Sequence, residues 1–159
     1  MLKLYKQINN EIHYWETWNT KDGTGIIHWG IIGDQGQDKE VKSNPSFSFK
    51  DQIQREIDIK ISEGFKPVDL DEHYTLLIEY QIAEMEIVEN LEKRNRLEER
   101  MDNTLGWTGL GRCDGGSIGS GTMEVCCYVI DFEVAKKVIE QDLKKTEFSD
   151  YLRIFDENE

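Results

Sequence analysis

The sequence predicts an α+β fold in two parts: a small antiparallel sheet closed by one helix, then a two-layer unit with the order β-α-β-β-α-β. Three observations predict it. Up to about residue 42, aromatic and β-branched runs alternate with short turns rich in glycine and asparagine. From Phe49, apolar residues recur at Ile53, Ile57 and Ile61, and Gly64 and Pro67 close the run. Strand alternation then restarts at Tyr74, beyond a short acidic connector.

In the first part, residues 2–8 alternate weakly, and Asn9-Asn10 supplies a hairpin turn into a strand over 11–18. Lys21-Asp22-Gly23-Thr24-Gly25 is a turn that needs a positive φ. A third strand covers 25–32, a short polar fourth covers 37–42, and Ser43-Asn44-Pro45-Ser46 breaks the pattern. The i, i+4 steps from Phe49 to Ile61 predict one face of a helix, with Gly64 at its C′ position.

Within this part, His28-Trp29-Gly30-Ile31-Ile32-Gly33 followed by Gly36-Gln37 resembles the signature of the WGR domain family. Strands followed by a helix is also that family's order, so the resemblance covers about the first seventy residues and implies a domain over 1–68. In WGR domains that act with poly(ADP-ribose) polymerases, the motif tryptophan and arginine help grip a DNA end. The resemblance offers Trp29 for the first role. Ile31 stands where the arginine belongs, and it pairs with neither phosphate nor carboxylate.

The second part is predicted to span 73–159. Residues 74–82 read as a strand, with Leu76, Ile78, Tyr80 and Ile82 on one face. A charged helix follows over 90–104, capped by Asn90, with Leu91, Leu97, Met101 and Leu105 on its inner arc. A glycine-rich segment over 106–122 contains a short strand, and 123–130 is a second strong strand. Asp131 caps a helix to Leu143 with Ala135, Val138 and Ile139 inside, and 151–155 is a last strand with Leu152 and Ile154 on one side. This order predicts the ferredoxin-like arrangement, one antiparallel sheet with both helices on one face. The Asp-Gly-Gly and Ile-Gly-Ser-Gly-Thr-Met runs resemble small bacterial domains to which no activity attaches.

Composition narrows the function. The net charge is −13, yet residues 1–70 carry nine Lys/Arg against eleven Asp/Glu, while 71–159 carry ten against twenty-one. The acidity belongs to the second part, where it repels phosphate backbones and favours solubility or a basic partner. The N-terminus has no apolar leader core and no apolar run is long enough to span a bilayer, which predicts a cytoplasmic protein without membrane contact. Three cysteines form no disulfide framework, in keeping with a reducing compartment.

Candidate sites are few. The segment 106–122 holds seven glycines, with Asp114, Ser117 and Ser120 as its candidate site residues and Arg112 as its only cation. No Gly-Lys-Ser/Thr follows and the glycines precede a strand, so it is neither a P-loop nor a dinucleotide turn. A bulged edge hairpin explains it better. Cys126 and Cys127, adjacent in a strand, point to opposite faces and cannot share a metal; buried spectator thiols are expected, and no cofactor or metal set emerges. His13 is expected opposite His28, without a nucleophile. The charged helix is read as a solvated face with pairs such as Glu92–Arg96. Glu124, Cys126, Tyr128 and Ile130, with Arg153 and Phe155, are expected on the sheet face away from the helices, a mixed surface suited to a partner.

The reading is a non-catalytic bacterial protein-binding module of toxin-neutralising (immunity) or regulatory type, with a basic protein as partner. The alternative is a nucleic-acid-associated protein acting through the WGR-like part, which the absent arginine and the negative charge both disfavour. An enzyme using the glycine segment ranks last.

Overall fold

The computed structural model describes all residues, 1–159, and the chain divides into two compact units, Met1–Val68 and Asp69–Glu159. Each has one antiparallel four-stranded sheet; the first carries one helix and the second two.

In the first unit, β1 (Leu2–Ile8), β2 (Glu11–Asn19), β3 (Gly25–Ile31) and β4 (Gln37–Val41) form a meander in chain order. Asn9 turns β1 into β2 at φ 57°, a conformation asparagine tolerates. The β2–β3 link closes through Thr20 N–H to Thr24 O at 2.8 Å, with Gly23 at φ 74°.

Helix α1 (Phe49–Ser62) is capped by Ser48, whose hydroxyl accepts from the Asp51 N–H. Its end is a Schellman motif: Phe65 N–H donates to Lys60 O and Gly64 N–H to Ile61 O, each at 3.0 Å, with Gly64 at φ 99°. Phe65 thereby enters the core with Leu4, Trp15, Ile27, Val41 and Ile53. Ile61 was expected on the same helix face but is exposed. Each i, i+4 step drifts about 40°, so three steps carry Ile61 about 120° away from Phe49. Beyond the helix, Tyr5 and Lys66 exchange backbone hydrogen bonds of 2.8 and 3.0 Å, tying the unit's end to β1.

In the second unit the order is β5 (Tyr74–Gln81), α2 (Ile87–Trp107), β6 (Gly111–Gly119), β7 (Thr122–Val129), α3 (Phe132–Leu143) and β8 (Arg153–Asp156). The strands lie in the order β6-β7-β5-β8, every neighbour antiparallel. Register aligns Leu76 with Cys127, Ile78 with Val125 and Tyr80 with Met123, a buried face. Leu97, Met101 and Leu105 of α2 and Ala135, Ile139 and Leu143 of α3 complete this core. The helices lie side by side, with Arg100 Nε 2.8 Å from Asp142 Oδ2. The Tyr80 hydroxyl donates to Phe148 O at 2.8 Å, and burial, then Asp150, pushes its pKa well up.

Four expectations change here. Helix α2 starts at Ile87, so Asn90 lies inside it rather than at its cap. Leu91 is 41% exposed: the hairpin tip beside it offers Gly119 and Gly121, which carry no side chain to pack. Val138 is only half-buried. Leu152 precedes the β8 ladder in a bend and is exposed, whereas Ile154 is buried. Asp131 does cap α3, accepting from the Val134 N–H at 2.9 Å.

Candidate protein-binding surface

In the first unit, Trp29 is half-buried against the core and lies opposite Trp15 in the β2–β3 ladder. Both tryptophans line a hollow of about 210 Å³ with Lys39, Glu56 and Lys60. Lys39 is bound to Glu56 at 2.6 Å and Lys60 to Glu63 at 3.3 Å, so these cations are already partnered. Lys42 lies 3.8 Å from Glu40. The polar centre of this unit is on the other sheet face. His28 lies opposite Glu16, not His13, which pairs with Ile31. His28 Nδ1 is 2.7 Å from Glu16 Oε1, and Nε2 is 2.5 Å from Gln35 O. The Tyr14 hydroxyl donates to Asp34 O at 2.8 Å, and burial, then Glu16 and Asp34, pushes its pKa well up. The arrangement fastens the turn over 32–36 to the sheet. It presents no activated nucleophile.

In the second unit, β6 is an edge strand, and its ladder shifts between Cys113 and Gly116 as a bulge. Asp114, Ser117 and Ser120 are exposed along it; Ser120 takes φ 54° at the tip. Asp114 lies 4.0 Å from Arg112. One side of the β6 backbone is engaged with β7, and on the free edge the Cys113 N–H donates to Asp102 Oδ1 at 3.2 Å. Cys127 is buried, but Cys113 and Cys126 are half-exposed, a correction to the expectation of three buried thiols. The Glu92–Arg96 pair is replaced by Arg96 to Glu147 at 2.6 Å and Arg94 to Glu98 at 3.2 Å.

On the sheet face away from the helices, register brings Ser117, Glu124, Glu79 and Arg153 into one row across the strands. Arg153 Nη2 is 3.2 Å from Glu79 Oε2, and its guanidinium stacks 3.7 Å from the Phe155 centroid. Desolvation, then the hydrogen bond that protonated Glu124 donates to Glu79 and the charge of Glu79, raises the pKa of Glu124. Tyr128 lies under Arg112, and the charges of Cys126 and Asp114 raise its pKa. The predicted residues therefore share a face, but its ionic groups mostly satisfy one another.

The less satisfied surface lies at the start of α2. The turn over 82–86 is fixed by Ile82 N–H to Gly121 O at 2.9 Å and by Asn90 Nδ2 to Ala83 O at 3.1 Å. Between this turn, the first two turns of α2 and the hairpin tip runs a groove of about 510 Å³, lined by Ile82, Ile87, Leu91 and Ile118 together with Glu84 and with Arg94, which Glu98 pairs at 3.2 Å. Around it Met85 is 97% exposed, and Ile87 and Val88 are each 65% exposed. Glu84, Glu86, Glu89 and Glu92 interleave these apolar residues, with no Lys or Arg among residues 84–92. Four large apolar groups in seven residues facing solvent exceed scattered surface hydrophobicity. Sequence reading missed this surface. Its signal was Ala83-Glu84-Met85-Glu86-Ile87-Val88, where apolar residues precede the core-facing positions of the helix.

No His, Cys, Asp and Glu side chains gather in a group of three able to hold a metal ion. No helix is long and apolar enough to cross a membrane. No family model, curated protein or solved structure matches the chain.

Proposed function

We propose that the chain is a non-catalytic, acidic protein-binding module of neutralising or regulatory type, whose second unit receives a basic amphipathic helix from a partner protein. The observation that carries this reading is the exposed set Met85, Ile87, Val88 and Leu91 beside a 510 Å³ groove, interleaved with four glutamates. An apolar helix face fills such a groove through anchors at i, i+3, i+4 and i+7, and lysines or arginines along its edges meet the glutamates. The strand order and the β-α-β-β-α-β succession support a ferredoxin-like reading of this unit. The Trp29-Gly30 strand and the turn at Gly36 support a WGR-like reading of the first unit. There Ile31 removes the cation that would grip phosphate, and Lys39, Lys42 and Lys60 are paired with glutamates, which weighs against nucleic acid.

The test uses a labelled helical peptide with leucines at i, i+3, i+4 and i+7 and lysines elsewhere, beside one with glutamates for the lysines. The lysine peptide is expected to bind, with an affinity that falls as salt rises, and the glutamate peptide is not. Ile87→Asp separates shape from charge. Aspartate suits the first turn of a helix and makes the field more negative. Loss of binding in that variant marks the apolar groove. Unchanged or tighter binding would mean a merely ionic attraction and would sink the proposal.

A further inference from the structure

Cys113 and Cys127 are direct partners in the β6–β7 ladder. Which kind of pair they form follows from the hydrogen bonds around them. Ile130 N–H donates to Leu110 O at 3.0 Å, which makes 110 and 130 a hydrogen-bonded pair. Such pairs alternate along an antiparallel ladder, so 112 and 128 are bonded, whereas 113 and 127 are not. The Cys113 N–H confirms the alternation: it points off the sheet edge and donates to Asp102 Oδ1 of α2 at 3.2 Å. At a non-bonded pair the Cα atoms come within about 4.5 Å and the side chains lie closest, inside the range a disulfide requires. The Cys113 thiol donates to Gly115 O at 3.9 Å, and the neighbouring Cys127 thiol is placed to donate to Cys113 once that thiol is ionised.

Their surroundings differ. Cys113 is half-exposed on the edge strand, next to the bulge, while Cys127 is buried in the helix-facing layer. Cys126, the neighbour of Cys127, lies on the opposite sheet face and takes no part.

We propose that Cys113 and Cys127 form a dithiol redox site whose substrate is a small-molecule disulfide, with Cys113 as the attacking and Cys127 as the resolving thiol. The hydrogen bond from Cys127 draws the Cys113 thiol below its ordinary range, and the same contact together with burial pushes Cys127 up. The Cys113 thiolate attacks one sulfur of the small disulfide, forming a mixed disulfide and expelling the first small thiolate. Cys127 then gives its proton to solvent and attacks Cys113 Sγ. The protein disulfide forms, the mixed disulfide breaks, and the second small thiolate leaves. Both small thiolates take up protons, so two cysteine thiols are oxidised as one small disulfide is reduced to two thiols. The product closes a short loop across one hairpin and locks the bulge on the sheet edge.

The experiment treats the full chain with glutathione disulfide and follows intact mass, free thiols and the linked peptides. The expected result is loss of two hydrogens, a fall from three free thiols to one, and a peptide joining Cys113 to Cys127. Cys127→Ala is expected to trap one glutathione on Cys113, and Cys126→Ala to form the same disulfide as the natural chain. Any one of three results would overturn the proposal: a disulfide that includes Cys126, a stable glutathione adduct on Cys113 in the natural chain, or three thiols surviving a large excess of oxidant. Reduction of the oxidised chain by dithiothreitol must restore all three thiols; failure to do so would also overturn it.

Discussion

His28 and Glu16 face each other across β2 and β3 with Nδ1 2.7 Å from Oε1, and their side chains are only 1% and 5% exposed. The other ring nitrogen meets Gln35 O, so each nitrogen faces an oxygen. Removing His28 takes away the short contact of the buried Glu16 carboxylate and leaves it only Lys3, at 3.8 Å. His28→Ala is therefore expected to destabilise the first unit by about 3–5 kcal/mol. Urea unfolding followed by tryptophan fluorescence measures it, since three of the four tryptophans lie in this unit. A loss below about 1 kcal/mol would place the pair among ordinary surface contacts.

Gly36 and Gly23 make a controlled comparison. Both have positive φ, 69° and 74°. A Cβ on Gly36 would lie 2.2 Å from Trp29 O and 2.4 Å from the Tyr14 hydroxyl, whereas one on Gly23 meets nothing within 4 Å. Gly23→Ala is expected to cost about 1 kcal/mol for the left-handed backbone alone. Gly36→Ala adds a backbone clash and disturbs the turn that supplies the carbonyl facing His28. Its loss is expected to exceed that of Gly23→Ala by at least about 1 kcal/mol in the same denaturation assay.

Glu124 carries a pH signature. Its pKa is raised above the ordinary 4.5 by desolvation and by Glu79, so ionisation is disfavoured in the folded chain. The contribution is fully present below the unfolded pKa and is lost as pH rises through the folded value. The slope thus lies above about pH 4.5. Glu124→Gln is expected to flatten that slope and to raise stability at neutral pH by under about 1 kcal/mol, because the site is largely solvated. Thermal melts of both proteins between acid and neutral pH measure it; a steeper slope in the variant would contradict the assignment.

The strand faces were open to sequence reading because burial on one side imposes a period of two. Leu76, Ile78 and Tyr80, and Met123, Val125, Cys127 and Val129, are all buried on the face the alternation marks. The Schellman end of α1 was open for a similar reason, since Gly64 takes a backbone conformation that favours glycine. Pairing between strands was not. The register that sets Cys113 against Cys127 depends on where the bulge falls, and bulge position has no local period. Nor was the groove. Leu91 reads as a core residue until the hairpin tip opposite it proves to be Gly119-Ser120-Gly121, which leaves it and Ile87 uncovered.

Asn90 connects the fold of the second unit to its proposed binding. Buried inside α2, it donates from Nδ2 to Ala83 O, while Glu86 N–H donates to the same carbonyl at 3.2 Å. These bonds hold the turn that presents Met85 and Ile87. Asn90→Ala removes one neutral hydrogen bond and is expected to cost only about 1 kcal/mol of global stability. The turn it frees must then be ordered when the partner helix binds, so affinity for the lysine peptide is expected to fall by about 5-fold. Tyr128→Ala, on the sheet face away from the helices, should leave that affinity within about 2-fold, because neither ring nor charge borders the groove. Isothermal titration of the three proteins separates the surfaces. Unchanged affinity in Asn90→Ala together with a large loss in Tyr128→Ala would move the partner to the row that Glu124, Glu79 and Arg153 share.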